Sequence, residues 1–320
     1  MILDEPRRVG LSFVGEGGKL LGIYIVNILL MIVTLGIYYP WGKVKVIKYI
    51  ASETELEGDP FEYHGTGMEM FLGMLKAVGV VIGVVLLIVG LSYALGEVGA
   101  ILGMLIYIVG LFLAIPYAIH GGLRYRTSRT TWNNVRWGYR GDFGEFAKKF
   151  IGGMLLTVVT LYIYGAWFSQ SIRKYIMEHL RFGNITFKYD GDGMSYFLLN
   201  LKGIVLTILT AGIYIFWYSK ELFEYNLDHT KAYQNEREIA FSSTLTGGAL
   251  FVHTLTNMLL IICTLGVGFP WAVVRTLKFT YSNVIIEGQV DIDELKNTEE
   301  DYKDAIGEGF GEVLDLGSAF

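Results

Sequence analysis

A segment of about fifty residues recurs along this chain, and such a recurrence limits the fold to architectures built from copies of one structural unit. The clearest copy contains the stretch TLGIYYPW, which begins at Thr34. Related stretches begin at Gly110, Thr160, Thr210 and Thr264. The last four starting points are 50 to 54 residues apart. The first two, Thr34 and Gly110, are 26 residues further apart than fifty, which leaves room for one extra helix. We therefore predict a tandem repeat.

The copies agree at fixed distances on both sides of this stretch. Seven residues before its start, every copy has glycine or asparagine: Asn27, Gly103, Gly153, Gly203 and Asn257. Seven residues after its start, every copy has an aromatic residue: Trp41, Tyr117, Trp167, Trp217 and Trp271. Fourteen residues after it, four of the five copies have a cation followed by an aromatic residue: Lys48, Arg124, Lys174 and Lys278, with Glu224 as the exception.

Each of these positions has a physical interpretation in a membrane. Glycine and asparagine in mid-helix let helix backbones approach or bond across helices, and they could alternatively line a narrow path. Tryptophan and tyrosine rings favour the headgroup level of a bilayer. Cations beside them are expected to face lipid phosphates. We therefore predict that the glycines and asparagines pack helices or line a path, and that the aromatic residues and the cations lie at the membrane surface.

Six stretches are apolar and long enough, or nearly so, to cross a bilayer as helices, which takes about 20 residues for about 30 Å of hydrocarbon. They are residues 20–41, 70–95, 100–119, 150–168, 196–218 and 250–274. With 52% hydrophobic and only 18% charged residues, the chain has too little charge to cover six buried helices with a soluble surface. We predict a mainly α, polytopic helical membrane protein whose repeat-built domain covers residues 1–288.

An alternating aromatic pattern marks a second kind of element between the apolar stretches. The pattern aromatic-x-Tyr-x-Gly begins at Phe61, Trp137 and Phe187, and a similar element begins at Leu11. Alternation of this kind is typical of short strands, so we expect five or six strands to pair into a small sheet at the membrane surface. If each unit crosses the membrane once, basic connections fall on both sides, against the positive-inside preference. Units that enter and return as bent hairpins, broken at the Gly-Pro-Trp stretch, remain the alternative to six spans.

The C-terminal region differs from the rest of the chain in charge. From Glu287 onward there are eleven carboxylates and two lysines, whereas the preceding residues carry a small net positive charge. We therefore predict an acidic C-terminal tail over residues 289–320. A basic stripe that would bind nucleic acid is absent from the sequence.

No motif of catalysis or metal binding is found in the sequence. The five histidines lack zinc-site spacing, and the stretch DGDG at residue 190 lacks the glutamate that a calcium loop needs at its twelfth position, Leu201. The middle of every predicted span lacks a carboxylate, which disfavours proton- or sodium-coupled transport. A single cysteine, Cys263, excludes an internal disulfide. We predict a protein that is not an enzyme and has no cofactor or metal.

Three stretches carry a resemblance to a known family: GEGG near the N-terminus, TLGIYYPWGKVK and GDPFEYHGTG. In combination they resemble the YjgN-like family of uncharacterised bacterial inner-membrane proteins, up to about Gly288. The resemblance implies a multi-pass protein of the bacterial inner (plasma) membrane with a domain of unknown function. It supplies no catalytic residues.

Two functional hypotheses remain open from the sequence. The first is a non-enzymatic protein that organises or scaffolds the membrane, with lipids as partners and with its surface strands and acidic tail available to a protein partner. The alternative is a channel or transporter for a small or amphiphilic solute. The two hypotheses differ in the role of Asn27 and Asn257, which pack helices in the first and line a path in the second.

Overall fold

The computed structural model describes residues 8–288, 290–292 and 294–299, and in this part of the chain helical segments alternate with short strands. The helices are α1 (Gly17–Val33), α2 (Tyr39–Ser52), α3 (Gly67–Ser128), α4 (Phe143–Val159), α5 (Gly165–His179), α6 (Gly193–Leu209), α7 (Ile215–Asp228), α8 (Gly247–Cys263) and α9 (Phe269–Ser282). The strands are β1 (Arg8–Val9), β2 (Leu11–Phe13), β3 (Thr54–Leu56), β4 (Asp59–Tyr63), β5 (Thr130–Trp132), β6 (Val135–Tyr139), β7 (Leu180–Phe182), β8 (Ile185–Tyr189), β9 (Thr230–Gln234), β10 (Arg237–Ser243) and β11 (Val284–Glu287).

All of these strands belong to one antiparallel sheet. Its order is β1-β11-β10-β9-β8-β7-β6-β5-β4-β3-β2. The two edge strands, β1 and β2, are consecutive in the chain and separated by Gly10 alone, so the sheet curls into a nearly closed ring. Val9 pairs with Ile286 on one side of this junction, and Phe13 pairs with Thr54 on the other. The ring therefore joins the first strands of the chain to the last.

In the described part of the chain, the helices leave the sheet and return to it in five excursions. Four excursions are short hairpins: α1–α2, α4–α5, α6–α7 and α8–α9. The first helix of each has 17 residues, which gives about 25 Å and is short for a bilayer crossing. The fifth excursion is α3, the one helix among the described residues that is long and apolar enough to cross a membrane. The prediction of a mainly α, polytopic helical bundle with a few surface strands is therefore wrong.

The error has a local cause, which is that the turns of the short hairpins are as apolar as their helices. The predicted span 20–41 contains most of α1, a turn at residues 34–38 and the start of α2. In this turn Leu35 is 93% exposed and Gly36 has a φ of 88°, a left-handed conformation that suits glycine. Hydropathy counts such a turn as part of a span. The stretches 150–168, 196–218 and 250–274 contain equivalent turns.

The remaining two predicted spans, 70–95 and 100–119, are the two arms of α3. The helix folds back on itself at Gly96, whose φ of 60° and ψ of −132° are not helical. Gly99 lies against the backbone of Leu91, and Gly103 lies against Ile88, so the arms run antiparallel. α3 is therefore a long helical hairpin, with arms over residues 67–95 and 97–128 that are each over 40 Å long at about 1.5 Å per residue.

A threonine closes the turn of every short hairpin. The Thr34 hydroxyl donates to the Leu30 carbonyl (2.7 Å) and accepts from the Tyr38 amide (3.0 Å). Three further threonines make the same pair of bonds in the other hairpins: Thr160, Thr210 and Thr264. Backbone groups in an apolar environment must find partners within the protein. The threonine at the start of the recurring stretch supplies them.

Candidate functional site

An apolar chamber of about 970 Å³ lies between the inner face of the ring and the helices beneath it. Strand alternation places large side chains on this inner face, among them Trp137, Phe182 and Phe187. The Trp137 ring stacks on both phenylalanines, with centroids 4.7 Å and 5.7 Å apart. Ligand pockets commonly have volumes of about 300 to 1,000 Å³ and are lined mostly by such side chains. The chamber is therefore large enough for a small molecule or a lipid chain.

The opposite wall of the chamber comes from helices that end at the sheet. α2 contributes Ile47, Ile50 and Ala51, and α9 contributes Leu277 and Tyr281. These side chains belong to the second helices of their hairpins, so they lie between the sheet and the apolar hairpin turns. The chamber therefore lies on the same side of the sheet as the exposed apolar turns.

Few polar residues are among the described residues that line the chamber, and three of them lie together where α3 meets β5. These three are Arg126, Thr127 and Thr130, and the others are Thr54 and the tyrosines Tyr63 and Tyr281. Trp132 directs its indole N–H to the Asp59 carbonyl at 3.0 Å. An apolar cavity with a polar group at one end suits an amphiphile better than an ion. In the described part of the chain, no three His, Cys, Asp or Glu side chains come together as a metal site would need.

The first residues of the predicted acidic tail close one end of the ring. Val290, Ile292 and Leu295 pack against the buried side chains of the inner face. The Gln234 side chain forms two 2.8 Å bonds with the backbone of Asp291, one in each direction. We call residues 290–299 the strap; residues 289, 293 and 300–320 of the predicted tail lie outside the described residues.

A second amide side chain holds the strap further along. Asn184 donates to the Glu294 carbonyl (3.2 Å) and accepts from the Lys296 amide (3.3 Å). Gln234 and Asn184 lie at the turns β9–β10 and β7–β8, which are the strand ends remote from the helices. The strap therefore crosses the mouth of the ring on the side away from the hairpins.

The glycines and asparagines of the repeat lie within hairpins rather than in the chamber. Asn27 is buried and donates to the Gly42 carbonyl (2.9 Å), and Asn257 donates to the Thr276 hydroxyl (3.1 Å). The three glycines lie where an added Cβ would overlap the other half of the same hairpin: Gly103 on Ile88, Gly153 on Phe168 and Gly203 on Tyr218. Of these positions, Asn257 also lines a separate cavity of about 760 Å³ between α7, α8 and α9. Their role as helix-packing or path-lining residues stays a prediction.

The aromatic residues of the repeat pack against the start of the next excursion. A Cβ added to any of four glycines would overlap a tryptophan of the preceding hairpin: Gly67 on Trp41, Gly193 on Trp167, Gly247 on Trp217 and Gly17 on Trp271. The last pair joins the final hairpin to the first. In the remaining copy, Tyr117 makes an edge contact with Phe143, with ring centroids 5.7 Å apart. These contacts connect neighbouring excursions around the whole ring.

The cations of the repeat differ in their surroundings. Lys48, Lys174 and Lys278 are exposed, whereas Arg124 is half-buried in a small pocket with other arginines. Whether they face lipid phosphates stays a prediction.

A feature that the sequence reasoning missed is the role of the tyrosine that follows the cation. The Tyr175 hydroxyl accepts from the Asp142 amide (2.9 Å) and donates to the Asp142 carbonyl (2.8 Å). Tyr49 and Tyr225 make the same two bonds to Glu16 and Asp192. Each tyrosine fixes the residue that precedes the first helix of its own hairpin. In the sequence, the sign of this contact is a constant spacing of 33 residues between each tyrosine and the residue that it binds.

Comparisons with known proteins point to one family. Residues 8–190 and 217–313 match the family described as "Bacterial protein of unknown function (DUF898)". The inner membrane protein YjgN of Salmonella typhimurium is 34% identical over 130 residues, which cover 41% of this chain and 31% of that protein. The inner membrane protein YjgN of Escherichia coli O157:H7 is 32% identical over 137 residues, which cover 43% of this chain and 32% of that protein. The chain thus matches about a third of the length of these relatives. No solved structure matches it.

Proposed function

The chain belongs to the DUF898 family of bacterial proteins of unknown function, and we propose on that premise that it binds the apolar chain of a membrane lipid in the chamber beneath its sheet. The similarity to inner membrane proteins supports a location in the bacterial inner membrane. The observation that carries the proposal is the chamber itself, which is apolar, has a polar group at one end and is walled by the second helices of lipid-exposed hairpins.

The proposed arrangement in the membrane has two crossings. The arms of α3 are long enough to cross the bilayer and return, and their side chains are largely exposed, as lipid-facing side chains would be. The four short hairpins enter the leaflet on the side of the sheet and return to the same side. Their most exposed apolar residues are at the turns, where Leu35 and Leu265 are 93% and 94% exposed. Burial of such surface in lipid would stabilise this arrangement.

The scaffold role and the absence of enzymatic activity stay predictions. The alternative is a channel or transporter for an amphiphilic solute. Both proposals require that an amphiphile binds, but a channel or transporter also needs a route across the bilayer. We propose binding rather than flux because the described strap covers the mouth of the ring.

A photo-crosslinking experiment tests the proposal. The intact protein is placed in lipid nanodiscs that contain a fatty acid with a diazirine near its methyl end, and cross-linked residues are mapped by mass spectrometry. We expect adducts on inner-face strand residues such as Phe182 and Phe187, in addition to adducts on the lipid-exposed arms of α3.

A matched pair of variants makes this test specific. Ala51→Trp introduces a large ring at the chamber wall, whereas Ser52→Trp introduces the same ring at the next residue, which is exposed. We expect the first variant to lose the strand adducts and the second to keep them, with α3 adducts unchanged in both. Adducts confined to α3 in the unaltered protein would contradict lipid binding in the chamber.

A further inference from the structure

The cavity of about 760 Å³ between α7, α8 and α9 has an uncharged lining. None of the described residues that line it is a lysine, arginine, aspartate or glutamate. Most of the lining is aliphatic or aromatic, and it continues to the turn of the α8–α9 hairpin, where Ile262 and Phe269 are 57% and 49% exposed. A charged group in such a place would be buried without an opposite charge, which is costly. The cavity therefore suits a mostly apolar, uncharged molecule.

Three of the polar residues on the cavity wall form one hydrogen-bonded group. Asn257 Nδ2 lies 2.9 Å from His253 Nε2 and 3.1 Å from the Thr276 hydroxyl. The Thr276 hydroxyl donates to the Ala272 carbonyl (2.8 Å) and lies 3.2 Å from His253 Nε2. The His253 ring stacks on Phe279, with centroids 4.2 Å apart. We call His253, Asn257 and Thr276 the polar trio; the other polar residues of the wall are Ser219, Thr254, Thr280 and Asn283.

The polar trio offers a ligand one donor and one acceptor. Because an amide nitrogen only donates, His253 Nε2 is the acceptor in its bond with Asn257, and the neutral ring carries its proton on Nδ1. Among the described residues, Nδ1 has no hydrogen-bond partner. The Thr276 oxygen accepts from Asn257 and has a second lone pair. A ligand hydroxyl group can therefore donate to Thr276 and accept from His253.

The polar trio is peculiar to one copy of the repeat. Eleven residues before the start of the recurring stretch, where this copy has His253, the others have Ile23, Gly99, Lys149 and Leu199. Twelve residues after the start, where this copy has Thr276, the others have Val46, Gly122, Ile172 and Leu222. Since the other short hairpins form without this histidine and this threonine, the packing of a hairpin does not require them.

The asparagine of the polar trio differs in its contacts from its counterpart in the first hairpin. In α1–α2, Asn27 Nδ2 lies 2.9 Å from the Gly42 carbonyl oxygen. The equivalent distance in α8–α9, from Asn257 Nδ2 to the Ala272 carbonyl oxygen, is 3.5 Å. The shorter contacts of Asn257 are with two side chains of the cavity wall rather than with the backbone.

From these observations we propose that the cavity between α7, α8 and α9 binds a lipid with an uncharged hydroxyl headgroup, such as a monoacylglycerol. The hydroxyl group binds His253 and Thr276, and the chain lies along Met258 and Ile261 towards the hairpin turn. An ionised phosphate or carboxylate group is disfavoured, because the described lining has no lysine or arginine to pair with it. This site does not rest on the proposed function; among the described residues it shares with the chamber Leu277 alone.

Two matched probes test the site on the full-length protein in lipid nanodiscs. One is a monoacylglycerol with a diazirine near the methyl end of its chain, and the other is its dimethyl ether, which cannot donate a hydrogen bond. Cross-linked residues are mapped by mass spectrometry, and the affinity is taken from the mole fraction of probe that gives half-maximal adducts. We expect adducts of the hydroxyl probe on Met258 or Ile261, with an affinity about tenfold higher than that of the ether, since one hydrogen bond is lost in the ether.

Two sets of variants test the polar trio and the cavity separately. The double variant His253→Phe, Thr276→Val removes the two bonding groups but keeps an aromatic ring and a branched side chain, and we expect it to bind both probes equally. Thr254→Trp introduces a large ring on the cavity wall, whereas Leu255→Trp introduces the same ring at the next residue, which is exposed and outside the lining. We expect Thr254→Trp to lose the α8 adducts of both probes and Leu255→Trp to keep them.

Equal affinities of the two probes for the unaltered protein would overturn the proposal, as would a preference for the hydroxyl probe that survives in the double variant. The comparison of probes on the unaltered protein needs no variant, so it decides the question even if a variant fails to fold. Adducts on Phe182 and Phe187 report on the chamber and are counted separately. Their absence would contradict the proposed function and leave the preference for the hydroxyl probe at α8 intact.

Discussion

Replacing Gly247 by alanine tests how neighbouring helical excursions pack in the ring. Gly247 is the first residue of α8. A Cβ added there would overlap the indole ring of Trp217, which lies near the start of α7. Gly248 is the next residue in the same turn, and an added Cβ there would meet nothing within 4 Å. The two alanine variants therefore differ in whether the new methyl group overlaps the Trp217 ring.

The expected magnitude follows from two opposing effects. Alanine stabilises a helical position by about 0.5–1 kcal/mol relative to glycine, and both variants gain this. Overpacking costs about 1–3 kcal/mol, and only Gly247→Ala incurs it. We expect Gly248→Ala to be slightly stabilised and Gly247→Ala to have a lower free energy of unfolding than Gly248→Ala by about 1–3 kcal/mol. That difference corresponds to several degrees in Tm, at about 2–4 °C for each kcal/mol.

The assay is thermal unfolding of the intact protein in one detergent, followed by circular dichroism. The pair Gly17 and Gly18 repeats the experiment at the other end of the chain, because Gly17 faces Trp271 and Gly18 faces open space. Equal melting temperatures within both pairs would refute the packing of tryptophan on glycine between excursions. A second replacement, Trp217→Leu, should recover part of the stability lost in Gly247→Ala.

Two further predictions concern the hairpin turns and the closure of the ring. Thr210→Val removes the acceptor of the Tyr214 amide (2.9 Å) and should lower the free energy of unfolding in micelles by about 1–3 kcal/mol, whereas Thr210→Ser should be close to the unaltered protein. Cysteines at Val9 and Ile286, in a Cys263→Ala background, should form an intramolecular disulfide on mild oxidation, because these residues pair between β1 and β11. A mobility shift on denaturing gels measures the disulfide, and absence of the shift would mean that the ring is open.

Parts of the fold could be predicted from the sequence because their causes are local. The alternating aromatic pattern at Phe61, Trp137 and Phe187 lies in β4, β6 and β8, as predicted. A break near the Gly-Pro-Trp stretch is the sequence's alternative to a crossing, and the structure has a turn just before that position in each short hairpin, at residues 34–38 in the first. The number of crossings could not be read from hydropathy, because residues such as Leu35 make the turns as apolar as the helices.

The chamber and the small pocket that Arg124 and Arg140 line depend on contacts between distant parts of the chain. Trp137 and Leu277 line the same chamber, and Arg124 and Glu299 share a pocket, yet each pair is more than a hundred residues apart. Only the order of strands in the sheet brings such residues together. A single sequence gives the alternation along one strand but not which strands are neighbours. The tail was predicted as a separate acidic segment for the same reason, since the charges of its sequence do not show that its first residues pack on the ring.

The central claim is that every helical excursion leaves one sheet and returns to it, and the sidedness of the strand turns tests this most directly. Single cysteines at Glu57, Asn134 and Glu236, and one at Glu97 in the fold of α3, are introduced in a Cys263→Ala background and labelled with an impermeant maleimide in right-side-out and inverted membrane vesicles. The account predicts that the three strand turns are labelled from the same side and Glu97 from the opposite side. Strand turns that alternate between the two sides would contradict it.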